Sequence, residues 1–298
     1  MEQNQIEKAR EYSVIKSNHI IQKTRFNLSV SEQRTIAYIC SFIKPHAENE
    51  PYQLRYDFNI SDYARVCGLS CDGNRIYNET KSILKKLRDK SMWVEESDGQ
   101  EVLYAWLNDV EINRKSSTVS IEIHHRMIPF LFDLKETFTQ YGLYNILKMK
   151  SQYSIRLYEI LKSYSNLNFI AFPIEKWKHL LDVEHIKTYE NYKDFRVKVL
   201  EVAVKEINEY TDLQIEYKAE KEGTRRVTKI TFYFKKSVKK PAKQSKLETT
   251  KEQAKKSFKK TKNSFNNFEQ QDYDFDAIEK ANEYEPLQGQ LTTSDIGL

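Results

Sequence analysis

Basic residues gather where an amphipathic helix begins in the second half of this chain. Lys193, Arg196 and Lys198 occupy its first turns, between apolar residues at helical spacing. The first turns of a helix laid in the major groove of DNA reach base edges, where Arg and Lys donate to guanine. Arg225 and Arg226 follow at the tip of a predicted hairpin, where cations contact phosphates or the minor groove. We therefore predict that these residues bind DNA; the alternative is an ordinary solvated helix face.

A second set of the same kind lies in the first half. Arg75, Asn78 and Lys81 share the polar side of another predicted amphipathic helix. Arg114 and Lys115 lie at the tip of the hairpin predicted after it. Helix and tip are predicted to form a second DNA contact.

The two sets belong to segments that repeat one another. Phe58, Ile60, Tyr63, Cys67 and Leu69 are echoed 114 residues later by Phe172, Ile174, Trp177, Leu181 and Val183. Each copy predicts a short helix, a turn, a longer basic helix and a strand pair, which is the order of a helix-turn-helix with a wing. The predicted fold class is α+β, with two tandem winged-helix domains related by internal duplication.

Composition suggests four segments. We expect a flexible N-terminus, two winged-helix domains, and a basic linker with an acidic tail that is largely disordered because apolar periodicity is lost there. Their predicted bounds are 1–13, 14–130, 131–236 and 237–298.

Charge is distributed unevenly along the chain. The total is +5, but Lys235–Lys262 carry a net +10 and residues 263–298 a net −7. Residues 1–234 therefore carry only +2. A DNA site in the folded part must be a local basic surface.

The bulk composition is that of a folded protein. Its 298 residues are 39% apolar and 12% aromatic, enough for two domains with a core. No apolar run approaches the roughly 20 residues of a membrane helix, and the first residues lack the apolar core of a secretory signal. The odd number of cysteines, three, predicts that there is no disulfide framework. We expect a cytoplasmic protein that does not contact membranes.

No pattern of a catalytic or cofactor site is found. Neither GxxxxGK nor GxGxxG occurs, and Cys67 and Cys71 have no nearby His or second Cys pair to complete a zinc set. His124 and His125 are adjacent on a predicted strand, so they should point to opposite faces and not share an ion. We therefore expect no enzyme activity, no cofactor and no metal.

Local patterns give further expectations. Ser31 is predicted to cap a helix that stops at Pro45, and Ser61 to cap the first short helix after a strand that holds Ile60. Residues 134–164 predict two helices. The basic helix of the second half is predicted to bury Phe195, Val199, Val202, Ala203 and Ile207.

Three segments resemble the iteron-binding plasmid replication initiators of the RepA, RepE and pi type. They are VIKSNHIIQKTRFNLSVSEQRTIAYI, SQYSIRLYEILKSY and YKDFRVKVLEVAVKEINEYTDLQIEYKAEKEGTRRVTKITFYF. The resemblance spans about 14–236 and implies two winged-helix domains. It implies that the second reads the major groove of directly repeated origin sequences, while the first contacts backbone or a second groove and supplies the dimer interface. By position, Arg196 and Lys198 fall in the basic run that opens the family's second recognition helix, and Val197 interrupts that run.

The resulting hypothesis is a plasmid DNA replication initiator. It would bind directly repeated origin sequences, distort and open the DNA, and recruit a host initiator and the replicative helicase or its loader. It would also regulate its own gene as a homodimer in equilibrium with the monomer. A winged-helix transcriptional repressor without an initiation role is the main alternative, and a rolling-circle nicking enzyme is the other.

Overall fold

The computed structural model describes residues 12–43, 51–69, 73–95, 100–132, 137–223 and 226–235. The predicted basic linker and acidic tail lie outside these residues, as do most of the residues predicted to form a flexible N-terminus.

Both halves of the described chain contain helices and strands. The first half contains β1 (Ser13–Ser17), α1 (Asn18–Lys23), α2 (Val30–Cys40), β2 (Arg55–Asn59), α3 (Ile60–Cys67), α4 (Gly73–Asp89), β3 (Ser91–Glu95), β4 (Glu101–Ala105), β5 (Leu107–Asn113), β6 (Thr118–Ile123) and α5 (Ile128–Leu131). The second half contains β7 (Phe138–Gly142), α6 (Leu143–Lys148), α7 (Gln152–Lys162), β8 (Phe169–Pro173), α8 (Ile174–Leu180), α9 (Tyr192–Phe195), a π-helical segment (Arg196–Leu200), α10 (Glu201–Tyr210), β9 (Ile215–Glu222) and β10 (Arg226–Phe234).

Two units of identical topology lie within this order. The first unit, residues 55–123, has a sheet in the order β2-β6-β5, and the second unit, residues 169–234, has one in the order β8-β10-β9. In each, the strand before the short helix pairs antiparallel with the second strand of the hairpin. This is the winged-helix arrangement, and it confirms the predicted fold class for both units.

The repeated apolar residues occupy equivalent buried positions. Tyr63 and Trp177 are both completely buried, and each polar atom has a partner: the Tyr63 hydroxyl lies 2.6 Å from Thr35 Oγ1, and Trp177 Nε1 donates to the Ile230 carbonyl at 3.0 Å. The equivalence extends to the turn after the short helix, where Gly68 has φ +71° and Asp182 φ +53°. Glycine and Asp are among the residues that adopt this left-handed conformation.

Two predicted helix starts are wrong. Helix α3 begins at Ile60, and Asn59 caps it, because its Oδ1 accepts from the Ser61 amide at 2.8 Å. Helix α2 is capped by Ser29 and ends at Cys40, before Pro45. Ser29 and Glu32 form a reciprocal capping box, which satisfies two amides where Ser31 would satisfy one.

The described part of the segment predicted as two helices, residues 137–164, contains a strand before its helices. Strand β7 pairs antiparallel with β1, from Ser13 opposite Gly142 to Ser17 opposite Phe138, and only then do α6 and α7 follow. Alternation of buried and part-buried residues over β7 is typical of a strand with one covered face. The hairpin of β3 and β4 was also missed by the sequence patterns.

Helix α7 joins the helices that precede the first unit to the second unit. It packs against α2 on one side and α10 on the other, and buried apolar residues form one continuous cluster through both halves. Buried Arg156 donates to the carbonyls of Ile21 (2.8 Å) and Thr24 (2.6 Å) near the end of α1 and to that of Leu180 (3.2 Å) at the end of α8. The domain boundary at residue 131 stays a prediction; the described contacts show α7 bound to elements before and after it.

Candidate nucleic-acid interface

The second long helix consists of α9, the π-helical segment and α10 without a break. It begins after Asn191, whose side chain accepts from the Lys193 amide at 2.9 Å. Within the π-helical segment the Glu201 amide donates to the Arg196 carbonyl, five residues back, so this turn holds one extra residue. π-Helical turns occur frequently at functional sites, and this one coincides with the predicted DNA-binding residues.

The extra residue changes which side chains are buried. Phe195, Val199, Ala203 and Ile207 are buried as predicted, but Leu200 is buried with them. Val202, which was predicted to face inward, is exposed. The phase of the helix shifts at the π turn, and a regular α-helical repeat read from the sequence cannot anticipate that.

The predicted basic residues of this helix are accessible. Lys193 and Lys198 are exposed, and Arg196 is partly so. Lys198 Nζ lies 3.0 Å from Asp194 Oδ1, and Arg196 Nε lies 3.4 Å from Glu201 Oε1 without the geometry of a hydrogen bond. Ion pairs this exposed are worth about 0–1 kcal/mol, so a phosphate can displace these carboxylates at little cost.

The wing of the second unit carries one of its two predicted cations in the described region. Arg226 opens β10 and is exposed, with Nη2 3.6 Å from Glu175 Oε1 on α8. Arg225 lies outside the described residues. Gly223 takes φ +68° at this turn, a conformation that glycine adopts without strain.

In the first unit, the tip of the wing contacts the long helix α4. Arg75, Asn78 and Lys81 are all exposed on α4. Arg114 Nη2 donates to Asn74 Oδ1 at 2.9 Å, and its guanidinium lies 5.0 Å from the centre of the Tyr77 ring.

Asn74 and Tyr77 were missed as members of this surface. The only signal in the sequence was their place in the first turns of α4, next to Arg75 and Asn78. Lys115 is exposed at the tip, where the Asn113 side chain accepts from its amide at 3.0 Å.

Among the residues considered for metal binding or catalysis, the two adjacent histidines are arranged differently from the prediction. His124 and His125 lie beyond β6, and their rings stack at 4.5 Å rather than pointing to opposite faces. Burial raises the pKa of the Cys67 thiol, which keeps it protonated; Cys71 lies outside the described residues. Among the residues that the structure describes, no group of His, Cys, Asp or Glu is placed to hold a metal ion. Within the same residues, no helix has the length and apolar character to cross a membrane.

Both units match models of one protein family. Residues 13–162 match the model described as Initiator Replication protein, WH1, and residues 173–234 match the one described as Initiator Rep protein, WH2. These matches confirm the resemblance found in the sequence and the pair of winged-helix domains.

Individual proteins show the same likeness. An Escherichia coli protein named Replication initiation protein is 23% identical over 213 residues, which cover 69% of this chain and 65% of that protein, just under two thirds of its length. An uncharacterized 27.6 kDa protein of Escherichia coli is 20% identical over 226 residues, covering 74% of this chain and 89% of that one. The crystal structure of Pi initiator protein in complex with iteron DNA superposes with a TM-score of 0.60 at 16% identity, over 76% of this chain and 97% of that chain. Because the identity is only 16%, this superposition supports the assignment of the fold alone.

Proposed function

We propose that this chain, which belongs to the family of initiator replication proteins, starts replication of a plasmid by binding directly repeated origin sequences and opening the DNA there. One observation carries the proposal: the chain presents two winged-helix units, each with exposed cations on its long helix and at its wing. The iteron DNA bound by the Pi initiator protein suggests the class of DNA site.

The second unit is proposed to select the sequence. Its long helix would enter the major groove with the end that carries Lys193, Arg196 and Lys198 toward the bases. Arg196 and Lys198 would exchange Glu201 and Asp194 for phosphate or guanine, and the released counterions would make binding depend on salt. Arg226 of the wing would contact the adjacent backbone.

The first unit is proposed to hold the DNA backbone. Arg114 is fixed by Asn74 and Tyr77, so its guanidinium loses little side-chain entropy when it binds a phosphate. Arg75 and Lys81 would add contacts along α4. In this proposal the second unit determines which DNA sequence is bound, and both units contribute to the affinity for DNA.

The proposal also includes self-association of the protein and its binding to host replication proteins. Trp93 and Leu103 are cross-strand neighbours on β3 and β4, 50% and 51% exposed, and form an apolar patch suited to contact between two copies. The dimer would regulate the gene, and the monomer would bind the origin and recruit a host initiator and the replicative helicase or its loader. No covalent step is proposed: binding and distortion open the DNA.

Footprinting on the DNA that flanks the gene tests origin binding. Protection should recur about every two helical turns, roughly 20 base pairs, because each repeat presents the same groove to one protein. The double variant Arg196→Ala, Lys198→Ala should lose several kcal/mol of specific binding, at about 1–3 kcal/mol per base contact. Lys205→Ala, an exposed lysine nearer the other end of the same helix, is the matched control and should bind nearly as wild type. Uniform protection, or equal affinities for both variants, would contradict the proposal.

A repressor without an initiation role would give the same footprint. Transformation separates the two: the gene with its flanking repeats should maintain a marker DNA that has no other origin. A repressor would bind the repeats and leave the marker unreplicated.

A nicking enzyme would be revealed by its product. Incubation with supercoiled origin DNA and a divalent metal should leave the DNA free of covalently attached protein, because no covalent step is proposed.

A further inference from the structure

One exposed apolar side chain lies among the cations of the second long helix. Val197 is 43% exposed, between Arg196 and Lys198 in the π-helical segment. Valine is a poor choice for an exposed helical position, because its branched side chain loses rotamer freedom and gains no burial. Solvent exposure therefore gives no reason for a valine here, whereas a contact with an apolar partner would.

The backbone holds Val197 outward. Val199 and Leu200 are completely buried in the same segment, and Val199 lies roughly half a helical turn around the axis from Val197. Their burial fixes the rotation of the segment, so Val197 cannot turn inward without exposing them. An apolar partner for Val197 has to come from outside the protein.

DNA offers one apolar group on the base edges of the major groove. This is the 5-methyl group of thymine, and small apolar side chains contact it. Since Val197 lies in the early turns of the helix, it falls where a recognition helix meets the bases. Val202, 37% exposed, follows Glu201 and lies a turn farther from that end.

We propose that Val197 contacts the 5-methyl group of one thymine in each DNA repeat and selects a T·A pair there. The inference rests on the proposed function and adds one position of its specificity. Arg196 and Lys198 supply charge on either side, and Val197 supplies discrimination by shape and apolar contact.

Replacing single thymines by deoxyuridine tests this directly, because uracil differs from thymine only in the missing methyl group. The probe is the duplex that the full-length protein enriches from a random library, with each thymine replaced in turn. Wild-type binding should weaken about fourfold at one position, which corresponds to one buried methyl group. Val197→Ala, which lacks the two γ-methyl groups, should lose most of this discrimination at that position. Val202→Ala, the matched control, should keep the wild-type discrimination.

The outcomes separate the two proposals. If an enriched sequence shows no position sensitive to the methyl group, or if Val197→Ala keeps the full discrimination, the Val197 contact is overturned while origin binding stands. If no sequence is enriched, sequence-specific binding itself fails and the contact fails with it. Circular dichroism of both variants should match wild type, since each valine is exposed.

Discussion

At the scale of single residues, the acids beside the cations that we propose to bind DNA matter as much as the cations. Asp194 lies in the first turn of the second long helix, 3.0 Å from Lys198. If Lys198 binds DNA as proposed, Asp194 would compete for this lysine, place a negative charge near the phosphates and lower the affinity of the protein for DNA.

Removing this acid should strengthen DNA binding. Asp194→Asn keeps the shape of the side chain but frees Lys198, and we expect affinity to rise up to about fivefold, equivalent to one exposed ion pair. The helix loses about 0.3–1 kcal/mol of favourable dipole interaction, which should appear as a small loss of stability. Fluorescence anisotropy at two salt concentrations measures the affinity. Glu209→Gln, an exposed acid in the last turn of this helix, should have a smaller effect, and equal gains would contradict the argument.

A buried carboxylate gives a pH dependence to stability. Burial raises the pKa of Glu159, but the Lys16 ammonium at 2.6 Å and the donating Tyr141 hydroxyl outweigh it and hold the pKa below its ordinary 4.5. Because the folded pKa is the lower one, this stabilisation is fully present above about pH 4.5 and is lost as the pH falls through the folded pKa.

Urea unfolding between pH 3 and 7 checks this sign. One such group changes the free energy of unfolding by at most about 1.4 kcal/mol per pH unit. The double variant Lys16→Met, Glu159→Gln removes both charges together. Its free energy of unfolding should fall less steeply than that of wild type as the pH is lowered. If the free energy of unfolding falls equally steeply with decreasing pH in both proteins, other carboxylates cause the acid sensitivity.

At the scale of elements, the two caps considered for α2 can be told apart by mutation. Ser29→Ala removes the side-chain acceptor of the capping box and should cost about 1 kcal/mol, because the Glu32 amide then loses its partner. Ser31→Ala at the predicted cap is the matched control and should be nearly neutral. Urea midpoints measure both, and a larger loss for Ser31→Ala would move the helix start back to residue 31.

Sequence predicted those elements whose signal is local. Strands β2 and β8 lie 114 residues apart, as do the apolar residues of the sequence repeat. The repeat therefore predicted the positions of both helix-turn-helix motifs. The pairing of β1 with β7 joins residues more than 120 positions apart, and no local pattern encodes such a partner. Helical periodicity also placed Lys193 and Lys198 on the exposed side, but it could not predict the π turn. At that turn the adjacent Val199 and Leu200 are both buried.

At the scale of the whole molecule, Arg156 joins the elements at the start of the described chain to the second winged-helix unit. It is buried, and its guanidinium binds carbonyls before the first unit and within the second. The Phe26 ring lies 4.5 Å from it. Burial lowers the pKa of Arg156 to about 10, so it stays charged at neutral pH and keeps its donors.

Loss of these hydrogen bonds should let the second unit unfold separately from the rest of the protein. Arg156→Met fills similar space but leaves the carbonyls of Ile21, Thr24 and Leu180 without this donor, at about 1–3 kcal/mol for each unsatisfied group. In a Trp93→Phe, Trp106→Phe background, Trp177 fluorescence reports on the second unit alone. Fluorescence and circular dichroism should give one coincident urea transition with Arg156 present and two separate ones for Arg156→Met. Arg88→Met, at an exposed arginine of α4, is the control and should leave the two transitions coincident. The prediction would be wrong if the transitions of Arg156→Met also coincide and its free energy of unfolding falls by less than about 1 kcal/mol. Apolar packing around α7 would then hold the second unit to the rest of the protein without the arginine.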